Sequence, residues 1–185
     1  MRVILLFAAL AAAAFAGGPS HVTVTRVPAP NKALKFEVEV PASVEAVWQA
    51  FSTSEGLSAW LTPGAVVDLR KGGEWTAHFP GGKTAGGAMV SFIPQREMVM
   101  SAMAPERFPT VRAERTTATF RFLPQGKGTT LVQLEQTGWK EGAEWDRAYD
   151  YLAAGNMQLL ETLRRRFVDG PSIGTSNSTY LQGGL

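Results

Sequence analysis

From Trp145 to Phe167 the chain carries one apolar stripe at helical spacing. Trp145, Tyr149, Leu152, Leu159, Leu160, Leu163 and Phe167 fall on one side of a helix of about six turns. A helix of that length with one apolar face must lay it on another layer, and no other stretch of the sequence predicts a helix long enough to be its partner. The polar Asn156 stands in the middle of the stripe. Arg164, Arg165 and Arg166 occupy the last turn, where cations complement the helix dipole, and Gly170-Pro171 stops the element.

The partner layer is legible upstream. Leu34, Phe36, Val38 and Val40 alternate with Lys35, Glu37 and Glu39, so one face of a strand is apolar, and Pro41 ends it. Ser43 caps a predicted helix whose Val44, Val47, Trp48 and Phe51 share a face. Ser52 and Glu55 have capping-box spacing for a second short helix with Leu57, Trp60 and Leu61, closed by Pro63-Gly64. Further strands are predicted near Ala65 to Leu69, Glu74 to Phe79, Gly87 to Ile93 and Glu97 to Met103. Thr116 to Gly138 reads as a hairpin turning at Gln125-Gly126-Lys127-Gly128. An antiparallel sheet that buries one face against a single long helix is an α+β helix-grip fold.

At 185 residues the chain holds one domain with a sizeable core. Residues 1–16 read as a secretory signal, with Arg2, an apolar run, and Ala14 and Ala16 placed for cleavage after Ala16. Export to the periplasm or the extracellular space is therefore expected, without stable membrane insertion after cleavage. Residues 17–32 read as a proline-bearing linker in which His21 to Val27 has strand alternation, 33–170 as the domain, and 171–185 as a loose tail. The chain contains no cysteine, which excludes disulfides, thiol nucleophiles and thiolate metal sites. A formal charge of +2 gives no reason to expect a nucleic-acid partner.

Motifs for cofactor chemistry fail on context. AHFPGGKT, Ala77 to Thr84, spells a relaxed phosphate loop, but a strand follows where a helix N-terminus is needed, so a hairpin turn is expected. GPSIG, Gly170 to Gly174, follows a helix and has no acid or histidine after it to complete a triad. His21 lies in the linker, and His78 shares a polar strand face with Glu74 and Thr76, so no metal site is expected. Glu141, Glu144, Asp146 and Asp150 cluster where a helix starts and negative charge is favourable there. Asn177-Ser178-Thr179 spells a glycosylation acceptor, meaningful only in a eukaryotic secretory pathway.

If the sheet curves around the helix without touching it everywhere, an apolar pocket follows. Its candidate lining is Trp60, Trp75, Phe79, Met98, Met100, Phe120 and Phe122, with Tyr149 and Asn156 from the helix. Plain core packing is the competing reading for each. Asn156 must find hydrogen-bond partners. Either it faces the cavity and fixes the polar end of a ligand or a water, or it bonds to neighbouring backbone.

VEVPASVEAVWQAFSTSEGLSAWL, then DLRKGGEW, then GGAMVSFIPQREMVM, then GTTLVQLEQTGW and the closing helix resemble the START-like SRPBCC superfamily. Within it the chain is most similar to the group named after the activator of the ninety-kilodalton heat-shock protein ATPase. The resemblance runs from about Leu34 to Val168. It implies a helix-grip cavity whose mouth and walls are packed by the tryptophans of the first half. Asn156 departs from the pattern, because relatives usually carry Trp after the helix glycine. The expected function is an exported, non-catalytic module that binds a small hydrophobic ligand, with no cofactor, since no Asp, Glu, His or Lys falls clearly on an inward face. The alternatives are an enzyme acting on a cavity-bound hydrophobic substrate, cyclase-like or hydrolase-like, and a co-chaperone using the sheet's outer surface.

Overall fold

The computed structural model describes residues 21–170. The signal segment, the part of GPSIG after Gly170, the Asn177 acceptor and the tail lie outside the described residues. Within them the order is β1 (Thr23–Val27), β2 (Ala33–Val40), α1 (Val44–Ser52), α2 (Ser54–Ser58), β3 (Val66–Val67), β4 (Glu74–His78), β5 (Thr84–Ile93), β6 (Glu97–Met103), α3 (Pro109–Glu114), β7 (Thr116–Gly126), β8 (Thr129–Thr137) and α4 (Ala143–Asp169). The strands form one antiparallel sheet in the order β1-β2-β8-β7-β6-β5-β4-β3. The fold is α+β and helix-grip-like. The segment with strand alternation in the linker is β1, paired to β2 from Thr23 with Glu37 to Val27 with Ala33.

Register turns the alternation into a core. Phe36 pairs with Leu134, Leu134 with Phe120, and Phe120 with Met98, so one row of apolar side chains crosses four strands on the inner face. Val38, Val132 and Phe122 make the next row. All seven are 2% exposed or less, and each large side chain buried in this way contributes about 1.5–3 kcal/mol relative to exposure. α4 lies over β2 and β1, while α1 covers β7 and β8. The two helices thus divide the inner face between them.

Local chemistry explains where elements begin. Ser43 caps α1 as expected, its Oγ accepting from Ala46 N at 3.2 Å. The cap of α2 is Thr53 rather than Ser52, with Thr53 Oγ1 accepting from Gly56 N at 2.9 Å. Ser52 is the buried last residue of α1, so the extended backbone that a cap requires comes one residue later. Trp60 and Leu61 follow α2 in the turn. The relaxed phosphate-loop spelling is a tight turn at Pro80–Gly82 closed by Phe79 N to Lys83 O at 2.8 Å, and β5 follows it.

α3 has no periodic signal in the sequence, because six residues are too few for a stripe. It ends at Arg115, whose φ of 66° and ψ of 158° lie in a region that glycine ordinarily occupies. That backbone costs about 1–3 kcal/mol and persists only where surrounding contacts hold it. Across the sheet from this point, Gly86 has φ 136°, and a Cβ there would lie 2.0 Å from Trp75 O. Only glycine lets β4 and β5 approach so closely.

Candidate functional site: the inner face under the long helix

Phe51, at the end of α1, is the hub of one end of the inner face. Its ring lies 5.3 Å from Trp60, 6.3 Å from Trp75, 5.0 Å from Phe120 and 5.2 Å from Phe122. Carbonyls in the last turn of a helix lack helical partners. Here two indoles supply them: Trp60 Nε1 donates to Ala50 O and Trp75 Nε1 to Phe51 O, each at 2.9 Å. The density of tryptophan in this part of the sequence therefore has a concrete cause, since each ring fills core and its N–H finishes α1.

Met98 and Met100, paired across to Phe92 and Met89, pack in the same core. Seven of the nine candidate lining residues, Trp60, Trp75, Met98, Met100, Phe120, Phe122 and Tyr149, are thus brought into one cluster. Phe79 stands apart. The chain leaves β4 at His78, and Phe79 is a half-buried residue at the head of the turn, outside that cluster. Phe51 is the member that sequence reasoning missed, although it shares the predicted apolar face of α1.

Asn156 finds its partner neither in neighbouring backbone nor in solvent alone. Its Nδ2 donates to Gln136 Oε1 at 2.7 Å, and Gln136 Nε2 donates to Thr116 Oγ1 at 2.7 Å. Gln136 and Thr116 are 3% and 4% exposed, on the inner faces of β8 and β7. A polar file thus runs from the sheet floor to α4. Asn156 Oδ1 accepts no hydrogen bond from the described residues. Sequence reasoning missed Gln136, although the signal was present: it continues the inward phase of Val132 and Leu134 with a polar side chain.

Along α4, Trp145, Ala148, Tyr149, Ala153, Leu160 and Leu163 are buried, whereas Leu152, Gly155, Asn156 and Leu159 are half-buried. Apart from its chain neighbours and the backbone of its own helix, no heavy atom among the described residues lies within 4 Å of where a Cβ on Gly155 would sit. The helix therefore offers an accessible stretch at the place where the polar file ends.

Tyr149 anchors α4 to the first two strands. Its hydroxyl donates to Ala33 O at 2.9 Å and meets Val27 O at 3.4 Å, while Lys32 Nζ and the Arg26 guanidinium stand 4.8 and 5.4 Å from its ring centre. Burial pushes the phenol above its ordinary pKa. The cations Arg26 and Lys32 oppose that shift and Asp150 adds to it. Arg26 also pairs with Asp150.

Charged groups elsewhere lock elements together. Glu144, in the first turn of α4, accepts from Thr110 N at 2.7 Å, Thr110 Oγ1 at 2.9 Å and Val111 N at 3.1 Å, which fastens α3 to α4. Desolvation alone would raise the Glu144 pKa, but these hydrogen bonds and the charge of Arg147 outweigh it and hold it below the ordinary carboxylate range. Glu135 behaves alike, with Lys35 and Arg121 overcoming desolvation. Glu161 is 8% exposed and belongs to no sequence expectation. It faces His21, through the backbone N at 3.3 Å and Nδ1 at 3.5 Å, and Arg165 at 3.6 Å. Among the described residues no group of three or more His, Asp or Glu is arranged to hold a metal ion, and no helix is long and apolar enough to cross a membrane.

Comparison with known proteins joins this geometry to a family. The family described as Activator of Hsp90 ATPase homolog 1-like protein matches residues 41–167. A protein of Mesorhizobium loti superimposes with a TM-score of 0.59 at 20% identity, over 73% of this chain and 96% of its own. The Aha1 dimer from Colwellia psychrerythraea gives 0.58 at 17% identity, over 73% and 95%. A Bacillus halodurans protein gives 0.56 at 24% identity, over 77% and 99%. At these identities the likeness is one of fold. No curated protein matches the chain. The family match spans most of the chain and takes in α1, α2, the sheet from β3 to β8 and nearly all of α4, so this chain belongs to the Activator of Hsp90 ATPase homolog 1-like family of the START-like SRPBCC superfamily.

Proposed function

We propose that this protein is an exported, non-catalytic module that holds a small hydrophobic ligand between α4 and the inner face of its sheet. The observation that carries the reading is the polar file Thr116, Gln136 and Asn156 set into an otherwise apolar face. Buried amides in apolar surroundings are costly and need every partner they can reach. This file ends at a half-buried Asn156 with an uncommitted Oδ1, beside Gly155 and the half-buried Leu152 and Leu159. An apolar wall with one hydrogen-bonding acceptor suits a hydrophobic molecule bearing a single hydroxyl or amide donor.

The non-catalytic part of the proposal rests on the chemistry at that spot. Amides and a hydroxyl bind and orient, but they do not exchange protons near neutral pH. The buried carboxylate of Glu161 is taken up by His21 and Arg165.

Native mass spectrometry of protein purified from its own host tests the reading. A bound small molecule is expected in the wild type and is expected to be absent from the Asn156→Leu/Gln136→Leu double variant. A wild type without any bound mass, or a double variant that retains it at equal occupancy, refutes the ligand reading. Export is tested separately by the N-terminal sequence of the same preparation, which is expected to begin at Gly17.

A further inference from the structure

The outer face of the sheet, away from both helices, carries a hollow of about 260 Å³ among β4, β5 and β6. Register places it. Trp75 and Ala77 point inward, so Glu74 and Thr76 point outward; Thr76 pairs with Gly86 and Gly86 with Met103, while Glu74 pairs with Ala88. Gly86 and Gly87 contribute no side chains, which leaves a dip walled by Glu74, Thr76, Ala88, Met103 and Arg115. Two of these groups, Thr76 and Arg115, are uncommitted, and Glu74 has one long contact. Thr76 is 7% exposed, yet its hydroxyl bonds no described residue. Arg115, half-buried, makes no ion pair within 4.0 Å among the described residues, and the backbone that directs it is the strained one at φ 66°. Glu74 meets only His78, at 4.0 Å.

We infer that this hollow is a binding site for a small zwitterion of the α-amino-acid type with a short apolar side chain. A guanidinium presents a planar fork that matches a carboxylate, and a hydroxyl lining the same hollow can share the same group. Glu74 lines the same hollow without pairing to Arg115, so the hollow offers a carboxylate and a guanidinium together to a ligand that carries both opposite charges. Met103 and Ala88 supply the apolar wall. A volume of 260 Å³ is that of about nine liquid waters, enough for such a molecule and below the range of drug-sized pockets. The strain at Arg115 fits the same reading, since backbone held in a glycine region is concentrated at ligand clamps.

The test is a titration of the isotope-labelled full chain with L-valine, followed by amide NMR. Isovalerate, which lacks the ammonium, and isobutylamine, which lacks the carboxylate, serve as controls. L-Valine is expected to give saturable shifts at Thr76, Ala88, Met103 and Arg115, and both controls are expected to bind at least about tenfold more weakly. Arg115→Met, Thr76→Val and Glu74→Gln should each weaken valine by about tenfold or more. Arg115→Gly should lose binding while its melting temperature stays level or rises, because glycine relaxes the backbone. Glu74 is exposed, so its variant remains informative if those at Arg115 fail to fold. Absence of saturable shifts, valine binding that survives in Arg115→Met or Glu74→Gln, or isovalerate binding as tightly as valine would each overturn the assignment. So would an Arg115→Gly variant that melts lower and still binds.

Discussion

Asn156 on α4 and Gln136 on β8 are joined side chain to side chain at 2.7 Å, and this bond ties the middle of the long helix to the floor of the sheet. Because Gln136 is 3% exposed, its amide has little else to turn to. Asn156→Leu therefore leaves Gln136 Oε1 unpaired, and a loss of about 1–3 kcal/mol is expected in urea denaturation. Adding Gln136→Leu removes the orphaned group but also takes the donor from Thr116 Oγ1, so the double variant should lose less than the two single losses added together. A double variant less stable than the sum of its singles would contradict the pairing.

Phe51 is expected to be the most sensitive aromatic position of the inner face. It is fully buried and touches four other rings, so Phe51→Ala should cost about 3–5 kcal/mol. Phe79→Ala, outside the cluster, should cost well under half as much. Comparable midpoint shifts for the two variants would mean that the cluster is not the organising core of this end.

The depressed pKa of Glu144 makes a statement about acid stability. Folding holds its carboxylate charged to lower pH than the unfolded chain does, so its contribution is complete above the ordinary carboxylate range and is lost as pH falls through the lower folded value. Melting temperatures measured from neutral pH downward should show Glu144→Gln less stable near neutrality, with the gap to wild type closing as pH falls below the ordinary range. A gap that stays constant with pH would remove Glu144 from the acid transition.

Tyr149 works in the opposite direction. Its raised pKa means that the folded state favours the neutral phenol, so its contribution is present below the ordinary tyrosine pKa and is lost as pH rises toward the folded value. Tyr149→Phe keeps the ring and deletes the hydrogen bond to Ala33 O. It should cost about 1 kcal/mol near neutral pH and should flatten the alkaline fall in melting temperature. Unchanged alkaline behaviour would show that other groups govern it.

Thr53→Ala removes the side-chain acceptor for Gly56 N and is expected to cost about 1 kcal/mol. Ser52→Ala should not reproduce the effect through a cap, because Ser52 ends α1. Equal α2 fraying in both variants, read by hydrogen exchange at Gly56 and Leu57, would put the cap back at Ser52.

What the sequence disclosed tracks how each element is specified. The alternation at Leu34, Phe36, Val38 and Val40 and the stripe of α4 are periodic, and both emerged with the right face inward. β6 matched its expected bounds because Glu97 and Met103 close a clean run. α3 was illegible because its six residues are fixed by Glu144, thirty-odd residues away, rather than by their own pattern. At the site, Trp60 and Trp75 could be placed inward by spacing, but their bonds to Ala50 and Phe51 depend on how α1 and β4 meet. The oddity of Asn156 was visible in the stripe. The identity of its partner was not, since Gln136 becomes its neighbour only through tertiary packing.

The pairing of β2 with β8 joins two distant parts of the chain. Phe36 pairs with Leu134, roughly a hundred residues later in the chain, so β2 gains its neighbour on that side only once β8, the last strand among the described residues, is present. Closing a loop of that length is entropically expensive before any contact rewards it, and folds dominated by such distant pairings form slowly. During synthesis β2 leaves the ribosome with its β8-facing edge open, and α4, which lies over its inner face, is the last of the described elements to emerge. Over the interval between β2 and β8 that unpaired edge is open to wrong strand partners.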